Sequence, residues 1–527
     1  MSIIVNGISV RLDSDDDVIK HAAAAKLGVR AQQIKRLRVK RQSIDARREN
    51  IRLVMTALVD LFDVPQQQAL EIDFGKAQEY CEPSIRYGSM ALSRPVVIGT
   101  GPCGLFAALT LAKHGYRPLV LERGKNMAER EADVGHLMRT GIPDSESNVC
   151  FGAGGAGAFS DGKLTSRIKD PRAEHVLQTL ADFGAPEQIL RIAHPHTGTE
   201  YIRKAVRAML AHIELLGGEI LFSSRFCGIL ADRQALCGIR YMRNGTVHIV
   251  ETRAALLCIG HSARDTYEML LEAGIAMEPK PFAVGLRIEH LRAYIDKTQY
   301  GAAYGHPMLG AAEYRLAAKH GGRSVYTFCM CPGGVVINSS TQPEGIAVNG
   351  MSYYARDGEN SNSAVVVSVA PADFPKGALG GMAFAQHIER AAFTLCGKSG
   401  IPVQTVGGFS GGSGRFGSVS PSIRPHPAAA DLNRCLPPFI ADAIKGGLAA
   451  FGQKLKGFDN ADAVLTGVET RTSSPVRIRR REDFQAETLG GLYPAGEGAG
   501  YAGGIVSAAT DGIKCAEALM HRFAPPS

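Results

Sequence analysis

The chain has 527 residues, 45% of them hydrophobic and 21% charged, a globular composition that is too long for one ordinary core. Its formal net charge of +8 is small for this length and does not by itself indicate nucleic-acid binding. Eleven cysteines without metal-type spacing predict a cytoplasmic protein with no metal site, and the sequence shows neither an export signal nor a long apolar stretch for membrane spanning.

Residues 1–90 are predicted to form a small separate α/β module. We expect a strand over residues 3–12, a helix over 16–28 that is capped by Ser14 or Asp15, and further strands near 37–46 and 51–61. A basic stretch with few aromatic residues runs through this module: Lys35, Arg36, Arg38, Lys40, Arg41, Arg47, Arg48 and Arg52. Two interpretations stay open for residues 35–52: a solvated or domain-facing surface, and an RNA-binding or acidic-partner surface.

Residues 94–124 have the order of a dinucleotide-binding unit. The β-branched run "VVIG" enters the turn Gly99-Thr100-Gly101-Pro102-Cys103-Gly104, and helical apolar spacing follows as far as Gly115. In such a unit Gly99 permits the turn, Gly101 lets a pyrophosphate approach the backbone, and Gly104 lets the helix pack on the strand. The helix N-terminus then faces the phosphates.

A second strand ends at Glu122, followed by Arg123. A carboxylate at this position can accept hydrogen bonds from ribose hydroxyls, and it disfavours a 2′-phosphate by charge repulsion. NAD and FAD both use this unit, so another part of the chain has to distinguish them.

The C-terminal segment 491–518 favours FAD. It predicts a short strand over 492–495, a turn with Gly496 and Glu497, and a helix that begins near Gly503, Gly504 and Ile505. A helix N-terminus directed at the flavin stabilises its anionic reduced form, whereas a plain NAD domain has no use for this second glycine cluster. We therefore predict tightly but noncovalently bound FAD.

Three internal segments fit a flavoprotein. Residues 217–230 predict a strand with Cys227 near the adenine, and residues 254–266 predict an apolar strand that breaks at Gly260. Residues 148–170 hold a glycine-rich loop whose backbone amides can surround a phosphate or ribityl chain. The candidate FAD-binding residues in this loop are Gly154, Gly155, Ala156, Gly157, Ser160, Asp161 and Lys163.

At this point the chain resembles a family of poorly characterised FAD-dependent dehydrogenases of the glutathione-reductase-like FAD fold. The motifs that carry the resemblance span most of the chain and include "KRQSIDARRENI", "GAGGAGAFSDGKLTSRIKDPR", "IGHSARDTYEML", "KPFAVGLRIEH", "YTFCMCPGG", "ETRTSSPVRI" and "GLYPAGEGAGYAGGIVSAA". The resemblance implies one FAD and oxidoreductase activity but no known substrate. The sequence departs from the family pattern at two places. The family pattern has an acidic residue where this chain has Ala153, and the loop 407–431 with "RPHP" is looser than its family counterpart.

The predicted fold class is α/β, a Rossmann-type FAD-binding domain with an inserted, largely antiparallel substrate domain and the small N-terminal module. The expected domains are 1–90, then 91–274 as the first part of the FAD-binding domain, 275–465 as the substrate domain, and 466–527 as the C-terminal return. The middle region alternates β-type runs with helical stretches and has no second dinucleotide unit.

The leading functional prediction is a dehydrogenase or reductase that transfers hydride between flavin N5 and a small molecule. Any nicotinamide reductant, NAD(P)H, would bind only transiently. The candidate catalytic residues are Arg287 and Arg424, which could orient an anionic or carbonyl-bearing substrate, and His261 as acid or base. Two alternatives stay open: a flavin monooxygenase, and an RNA-associated flavoprotein of the tRNA-modifying kind.

The strand "VYTFCMC" ends at Pro332 and two glycines, where pairing must stop. Strict alternation places Cys329 and Cys331 on one face and Met330 on the other. Either the two thiols only pack against neighbours, or this strand end borders the substrate, as in geranylgeranyl-reductase-like flavoenzymes. A disulfide between residues so close in sequence would be strained.

Overall fold

The computed structural model describes residues 2–47, 50–62, 84–397 and 400–526. It shows an N-terminal unit, a parallel-sheet nucleotide-binding unit and a large antiparallel sheet. The predicted α/β class with an antiparallel second domain is confirmed. No helix within the described ranges is both long and apolar enough to cross a membrane.

The N-terminal unit is a three-stranded antiparallel sheet with one helix packed on it. Its elements are β1 (Ser2–Arg11), α1 (Asp16–Leu27), β2 (Ile34–Asp45) and β3 (Arg52–Leu61), with the sheet order β1-β3-β2. Asp15 caps α1, because its carboxylate accepts a hydrogen bond from the Val18 amide at 2.9 Å. Arg48 of the basic stretch and residues 63–83 of the predicted module lie outside the described residues.

The basic strand β2 contacts the nucleotide-binding unit through its outer edge. The Gln42 amide donates to the Arg191 carbonyl at 2.7 Å, and the Ala193 amide donates to the Gln42 carbonyl at 2.8 Å. Lys40 forms an ion pair with Glu174 at 3.2 Å. Four other basic residues of β2 are exposed: Lys35, Arg36, Arg38 and Arg41, of which Arg41 also donates to the Ala193 carbonyl at 3.2 Å. Part of the stretch is thus a contact surface within the chain, and binding of RNA or an acidic partner stays a prediction.

The nucleotide-binding unit is built on a five-stranded parallel sheet with the order β22-β10-β4-β5-β6. Its strands are β4 (Val96–Ile98), β5 (Leu119–Leu121), β6 (Glu219–Leu221), β10 (Ala255–Leu257) and β22 (Leu492–Pro494). The helices of this unit are α2 (Pro102–Lys113), α3 (Met127–Thr140), α4 (Arg172–Asp182), α5 (Gly198–Leu215) and α11 (Ile505–Arg522). The strands are short apolar runs, and β4 is buried throughout, as expected for a parallel sheet covered on both faces.

The strand predicted over 217–230 is two strands. Ser223 has a φ of +52°, which breaks the extended backbone after β6. The chain then enters an antiparallel meander of β7 (Ser224–Asp232), β8 (Ala235–Arg243) and β9 (Thr246–Glu251). Helix α6 (Arg264–Glu272) follows β10 and packs beside β7.

The second domain is centred on a seven-stranded sheet with the order β13-β14-β17-β12-β20-β18-β19. These strands are β12 (Phe282–Leu291), β13 (Ala317–His320), β14 (Arg323–Cys331), β17 (Asn360–Val369), β18 (Ile401–Thr405), β19 (Pro427–Ala429) and β20 (Val464–Glu469). Neighbouring strands in this sheet are antiparallel, except that the edge strands β18 and β19 pair in parallel. Strand β20 runs across the boundary that the sequence places at residue 465.

The remaining elements are two short strand pairs and four helices, and of the two pairs only the one formed by residues 335–338 and 348–351 lies against this sheet, whereas the other packs into the core of the nucleotide-binding unit. Two short antiparallel pairs are β11 (Met277–Pro279) with β21 (Val476–Ile478), and β15 (Val335–Asn338) with β16 (Val348–Met351). The helices are α7 (Arg292–Tyr300), α8 (Gly380–Leu395), α9 (Val406–Phe409) and α10 (Pro438–Lys454). Strands β12 and β17 lie at the centre and are buried almost throughout, so they form the rigid support of the domain.

Candidate functional site

A cavity of about 1620 Å³ extends from the dinucleotide turn to strands β13 and β14 of the second domain. Ordinary small-ligand pockets have about 300–1,000 Å³, so this cavity has room for a dinucleotide and a second molecule. The predicted FAD-binding residues along its wall are Gly99, Gly101, Pro102, Cys103, Glu122, Arg123, Gly155, Ala156, Gly157, Ser160, Asp161, Lys163, Gly260, Glu497, Gly503, Gly504 and Ile505. The fold therefore brings together segments that lie up to 406 positions apart, from 99 to 505.

In the dinucleotide turn, Gly99 and Gly104 are required by the backbone and its packing, whereas Gly101 faces open space. Gly99 has a φ of +103°, and a Cβ on Gly104 would lie 1.9 Å from the Gly99 carbonyl oxygen. A Cβ on Gly101 would meet nothing closer than the Gly155 Cα at 3.9 Å. Gly101 is the N-cap of α2, so the free amides of the first turn lie next to this open space.

Glu122 organises this turn as well as lining the cavity. Its Oε2 accepts hydrogen bonds from Thr100 N at 2.9 Å and Thr100 Oγ1 at 2.6 Å, and its Oε1 accepts from Gly124 N at 2.9 Å and Gly152 N at 3.0 Å. Four donors use the acceptor capacity of a carboxylate. A ribose hydroxyl could bond to it only if the Thr100 hydroxyl turned to its second acceptor, the Gly152 carbonyl at 3.4 Å.

The glycine-rich loop after α3 is fixed by Arg130, which sequence reasoning missed. This guanidinium is fully buried, and it donates to the carbonyls of Asn148 at 2.9 Å, Val149 at 2.9 Å and Ala153 at 2.6 Å. Gly154 does not line the cavity, since it faces Val206 on α5. These hydrogen bonds fix the loop, and its residues 155–157 form part of the cavity wall.

The C-terminal turn presents open glycines to the cavity. A Cβ on Gly503 or Gly504 would meet no atom within 4 Å, and α11 begins directly after them. Glu497 accepts a hydrogen bond from Gly504 N at 3.2 Å, and its other oxygen lies 3.7 Å from His261 Nε2. Burial lowers the pKa of His261. Gly496 lies behind the wall, where its amide donates to Asp511 at 2.7 Å.

Two arginines share one carboxylate beside this turn. Arg264 binds Glu389 with two bonds of 2.9 Å, and Arg471 reaches the same carboxylate at 3.4 Å. Burial opposes ionisation of Glu389, but the charges of Arg471 and Arg264 bring its pKa down to about 2. The buried Nε of Arg471, a cavity-lining residue, has no hydrogen-bond partner among the described residues. The group therefore carries excess positive charge.

These features fit FAD. The N-terminus of α2 and the open space at Gly101 suit an anionic pyrophosphate, the N-terminus of α11 and the positive charge around Arg471 suit the anionic reduced flavin, and the cavity has the required size. FAD supplies reversible hydride chemistry when it is bound. Gly101 at the start of α2 would hold the pyrophosphate, and Gly503 and Gly504 at the start of α11 would face the flavin ring.

A balanced ion cluster lies between the glycine-rich loop and β14. Buried Asp161 accepts from Arg356 at 2.5 and 3.1 Å and from Lys163 at 2.5 Å, and Arg356 also donates to Glu313 at 2.9 Å. Burial raises the pKa of Asp161, but Lys163 and Arg356 outweigh it and hold the value at about 2. Lys163 also donates to the Met330 carbonyl of β14. The cluster therefore joins the nucleotide-binding unit to the second domain.

Several predicted residues do not reach the cavity. Cys227 lies beside it on β7, whose residues 224–226 form the wall. Arg287 is fully buried and ion-paired with Glu469 at 2.9 Å, and the Arg424 guanidinium donates to backbone carbonyls, including that of Ile423 at 2.9 Å. The expectation that these arginines contact substrate is therefore corrected.

The alternation predicted for β14 is also corrected. Cys329 lines the cavity and Cys331 is buried away from it, because a bulge shifts the register between Phe328 and Cys331. Among the described residues, no group of three or more histidine, cysteine, aspartate or glutamate side chains is placed to hold a metal ion.

Positive side chains that sequence reasoning missed lie at the second-domain end of the cavity. Arg167, Arg315 and Lys319 are exposed, line this end, and form no ion pair with a carboxylate in the described part of the chain. Phe328 and Ile168, 39% and 38% exposed, lie along the same wall. Strand pattern alone gives no sign that these residues converge.

Known proteins agree with the FAD interpretation. A family described as "FAD-dependent protein, C-terminal domain-like" matches residues 281–472, an NAD(P)-binding Rossmann-like domain matches 97–136, and a domain of unknown function matches 2–60. An uncharacterised protein of Clostridium beijerinckii is 44% identical over 540 residues, covering 100% of both chains.

Solved structures give only distant likenesses. A geranylgeranyl bacteriochlorophyll reductase-like protein from Thermoplasma acidophilum is 12% identical, with 82% of this chain and 78% of that chain covered and a TM-score of 0.37. A glycerol-3-phosphate dehydrogenase from Bacillus halodurans in complex with FAD is 11% identical, with 81% and 64% covered and a TM-score of 0.35. Such scores are too low to assign a reaction. The family matches and the full-length relative show that the chain belongs to the family of FAD-dependent flavoproteins with this C-terminal domain.

Proposed function

We propose that this flavoprotein is a dehydrogenase or reductase that transfers a hydride between flavin N5 and a small molecule bound beside strand β14. The observation that carries the proposal is the continuity of the cavity. One wall is formed by the dinucleotide turn and the start of α11, and the other by residues 324–330 of the second domain. A substrate at the second wall shares one continuous space with the cofactor, which hydride transfer requires.

The substrate end of the cavity favours an anionic molecule with an apolar part. Lys163 and Arg356 are neutralised by Asp161 and Glu313, so the cluster contributes little net charge. The cationic side chains at positions 167, 315 and 319 are then in excess and attract an anion, while Phe328 and its apolar neighbours offer surface to a hydrocarbon portion. A carboxylate or phosphate ester fits this combination.

Anaerobic reduction of the purified, flavin-loaded protein tests the proposal. A panel of anionic metabolites, their neutral analogues, NADH and NADPH is mixed with the protein, and the oxidised flavin absorbance is followed. We expect at least one anionic metabolite to bleach the flavin, or, for a reductase, to reoxidise flavin that was reduced beforehand.

Two outcomes would count against it. A flavin that exchanges electrons with none of the anionic compounds, in either direction, would refute the proposed substrate class. Substrate hydroxylation that consumes oxygen and a nicotinamide would instead establish the monooxygenase alternative. Arg30→Ser serves as the matched control for Arg315→Ser, because it removes an exposed cation that does not line the cavity.

A further inference from the structure

The N-terminal sheet has one covered face and one open face. Helix α1 packs on the covered face, where alternate residues of β3 from Leu53 to Val59 are buried. Successive residues of a strand point to opposite faces, so the strand register shows which side chains the open face carries. They include five exposed arginines: Arg11 on β1, Arg36, Arg38 and Arg41 on β2, and Arg52 on β3.

The described residues of the open face include more arginines than carboxylates. Asp60 lies opposite Arg36 and offsets one positive charge. Asp45 lies opposite Arg52, but it forms an ion pair with Arg47 at 2.6 Å. The open face therefore keeps an excess of positive charge, which attracts a polyanion.

The arrangement of these arginines suits the backbone of a single nucleic-acid strand. Arg36 and Arg38 are two residues apart on β2, about 6–7 Å along the strand, and Arg41 continues the row. Guanidinium groups in such a row can bind successive phosphates in bidentate fashion. Opposite Arg41, the Thr56 hydroxyl donates to the Asn6 side chain at 3.0 Å. These two polar side chains can bond to ribose 2′-hydroxyls, which favours RNA over DNA.

The open face lies close to the cavity wall. The segment before α5 forms the backbone hydrogen bonds to β2 that are described above, and its Pro195 carbonyl accepts from the Leu164 amide at 2.8 Å. The residues on either side of Leu164 line the cavity. The Arg41 guanidinium donates to the Ala193 carbonyl of the same segment at 3.2 Å. Because Ala193 and Pro195 are separated by at most about 7 Å of chain, Arg41 lies near this wall.

His194 lies where the open face and the cationic end of the cavity meet. Burial is the main cause of the lowered pKa of His194, and the positive charges of Arg315 and Arg41 also lower it. Arg315 belongs to the cavity wall, and Arg41 belongs to the open face. Arg167 and Lys319 continue the positive surface along the cavity wall.

We propose that the open face of the N-terminal sheet binds single-stranded RNA and that the bound strand reaches the cationic end of the cavity. The arginines contact phosphates, so binding on the face depends little on base sequence. A base that enters the cavity can stack on the ring of Phe328, which is 39% exposed there. Entry of a nucleotide rests on the proposed function, because the nucleotide would be the anionic molecule beside the flavin. Binding on the open face does not depend on it.

Fluorescence anisotropy of a labelled oligouridylate, titrated with the flavin-loaded protein, tests binding on the face. The dissociation constant is expected at about 10⁻⁴–10⁻⁶ M at physiological salt, and the logarithm of the affinity should fall by about 0.7 per contacted phosphate for each tenfold rise in salt. A triple variant should bind at least about tenfold more weakly and lose about two units of this salt slope. Its substitutions are Arg36→Ser, Arg38→Ser and Arg41→Ser.

A second triple variant is the matched control, since it removes three exposed cations outside the N-terminal unit: Lys113→Ser, Lys376→Ser and Arg390→Ser. It should bind as the parent does, and flavin content and circular dichroism check that both variants fold. Equal affinity and salt slope in the two triple variants would overturn the proposal. Tighter binding of polyglutamate than of oligouridylate would assign the face to an acidic protein instead. Equal binding of oligothymidylate would overturn the assignment to RNA.

Entry into the cavity is tested by photo-crosslinking of an oligouridylate that contains 4-thiouridine, followed by peptide mapping. We expect cross-links at Tyr326 or Phe328 of β14 as well as on β2, because both aromatic side chains line the cavity. Cross-links confined to β2 would refute entry of the strand. RNA binding and cross-linking by a flavin that exchanges electrons with none of the metabolites would support this surface while refuting the proposed redox function. Electron exchange without RNA binding would do the reverse.

Discussion

Replacement of Glu122 by alanine should destabilise the protein even when no FAD is bound. The carboxylate is 5% exposed and accepts hydrogen bonds from three backbone amides, those of Thr100, Gly124 and Gly152. Each buried donor that loses its acceptor costs about 1–3 kcal/mol, so the free energy of unfolding should fall by at least about 3 kcal/mol. If Glu122 contacted only the ribose, the flavin-free protein would be unaffected.

The assay is denaturant unfolding of the flavin-free protein, followed by titration with FAD. Besides the loss of stability, FAD affinity should weaken by about 1.5–3 kcal/mol, the value typical of a hydrogen bond to a charged group. Glu487→Ala is the matched control, because its ion pair with Arg479 at 2.6 Å is solvent-exposed and should contribute less than about 1 kcal/mol. Equal unfolding free energies for Glu122→Ala and the parent would refute the role in organising the turn.

Further predictions concern the cofactor, the substrate end and the response to acid. Gly101→Arg should abolish FAD loading while leaving the fold intact, as judged by flavin content and circular dichroism, whereas Gly310→Arg at an exposed, open position should load normally. Arg315→Ser should raise the concentration of an anionic reductant that gives half-maximal flavin reduction by about fivefold to tenfold, and it should leave the limiting rate unchanged. If the half-maximal concentration of neutral analogues rose by the same factor, Arg315 would not recognise charge. The ionised Glu389 stabilises the fold fully above its unfolded pKa of about 4.5, and this stabilisation is lost as the pH falls through its folded pKa of about 2. Glu389→Gln should therefore have a lower free energy of unfolding than the parent at pH 7. Between pH 5 and pH 2 the variant should lose less of that free energy than the parent does. No stoichiometric NAD(P) should co-purify with the flavin, which mass spectrometry of the heat-released supernatant checks.

The nucleotide-binding unit was predictable because its signals are local. The turn after β4 and the start of α11 each follow from glycines within a few residues of a strand and a helix, and both lie where expected. The N-cap at Asp15 was likewise contained in four consecutive residues.

The substrate side was less predictable because its contacts are not local. Arg287 was expected to face a ligand, but its carboxylate partner Glu469 lies 182 positions away, so no sequence pattern reveals the pairing. The face of Cys329 depends on the register between β14 and β17, and a bulge of one residue reverses what alternation predicts. The sequence also does not reveal that Arg130 supports the glycine-rich loop. Its hydrogen bonds go to backbone carbonyls, which every residue has, so no side-chain pattern marks the partners.

A crystal structure of the flavin-loaded protein tests most directly whether one cavity joins the cofactor to the substrate end. We predict FAD with its pyrophosphate beside Gly101 and its isoalloxazine ring between the start of α11 and β14, on the side of Cys329. FAD bound outside the cavity, or a ring separated from β14 by protein, would contradict the account.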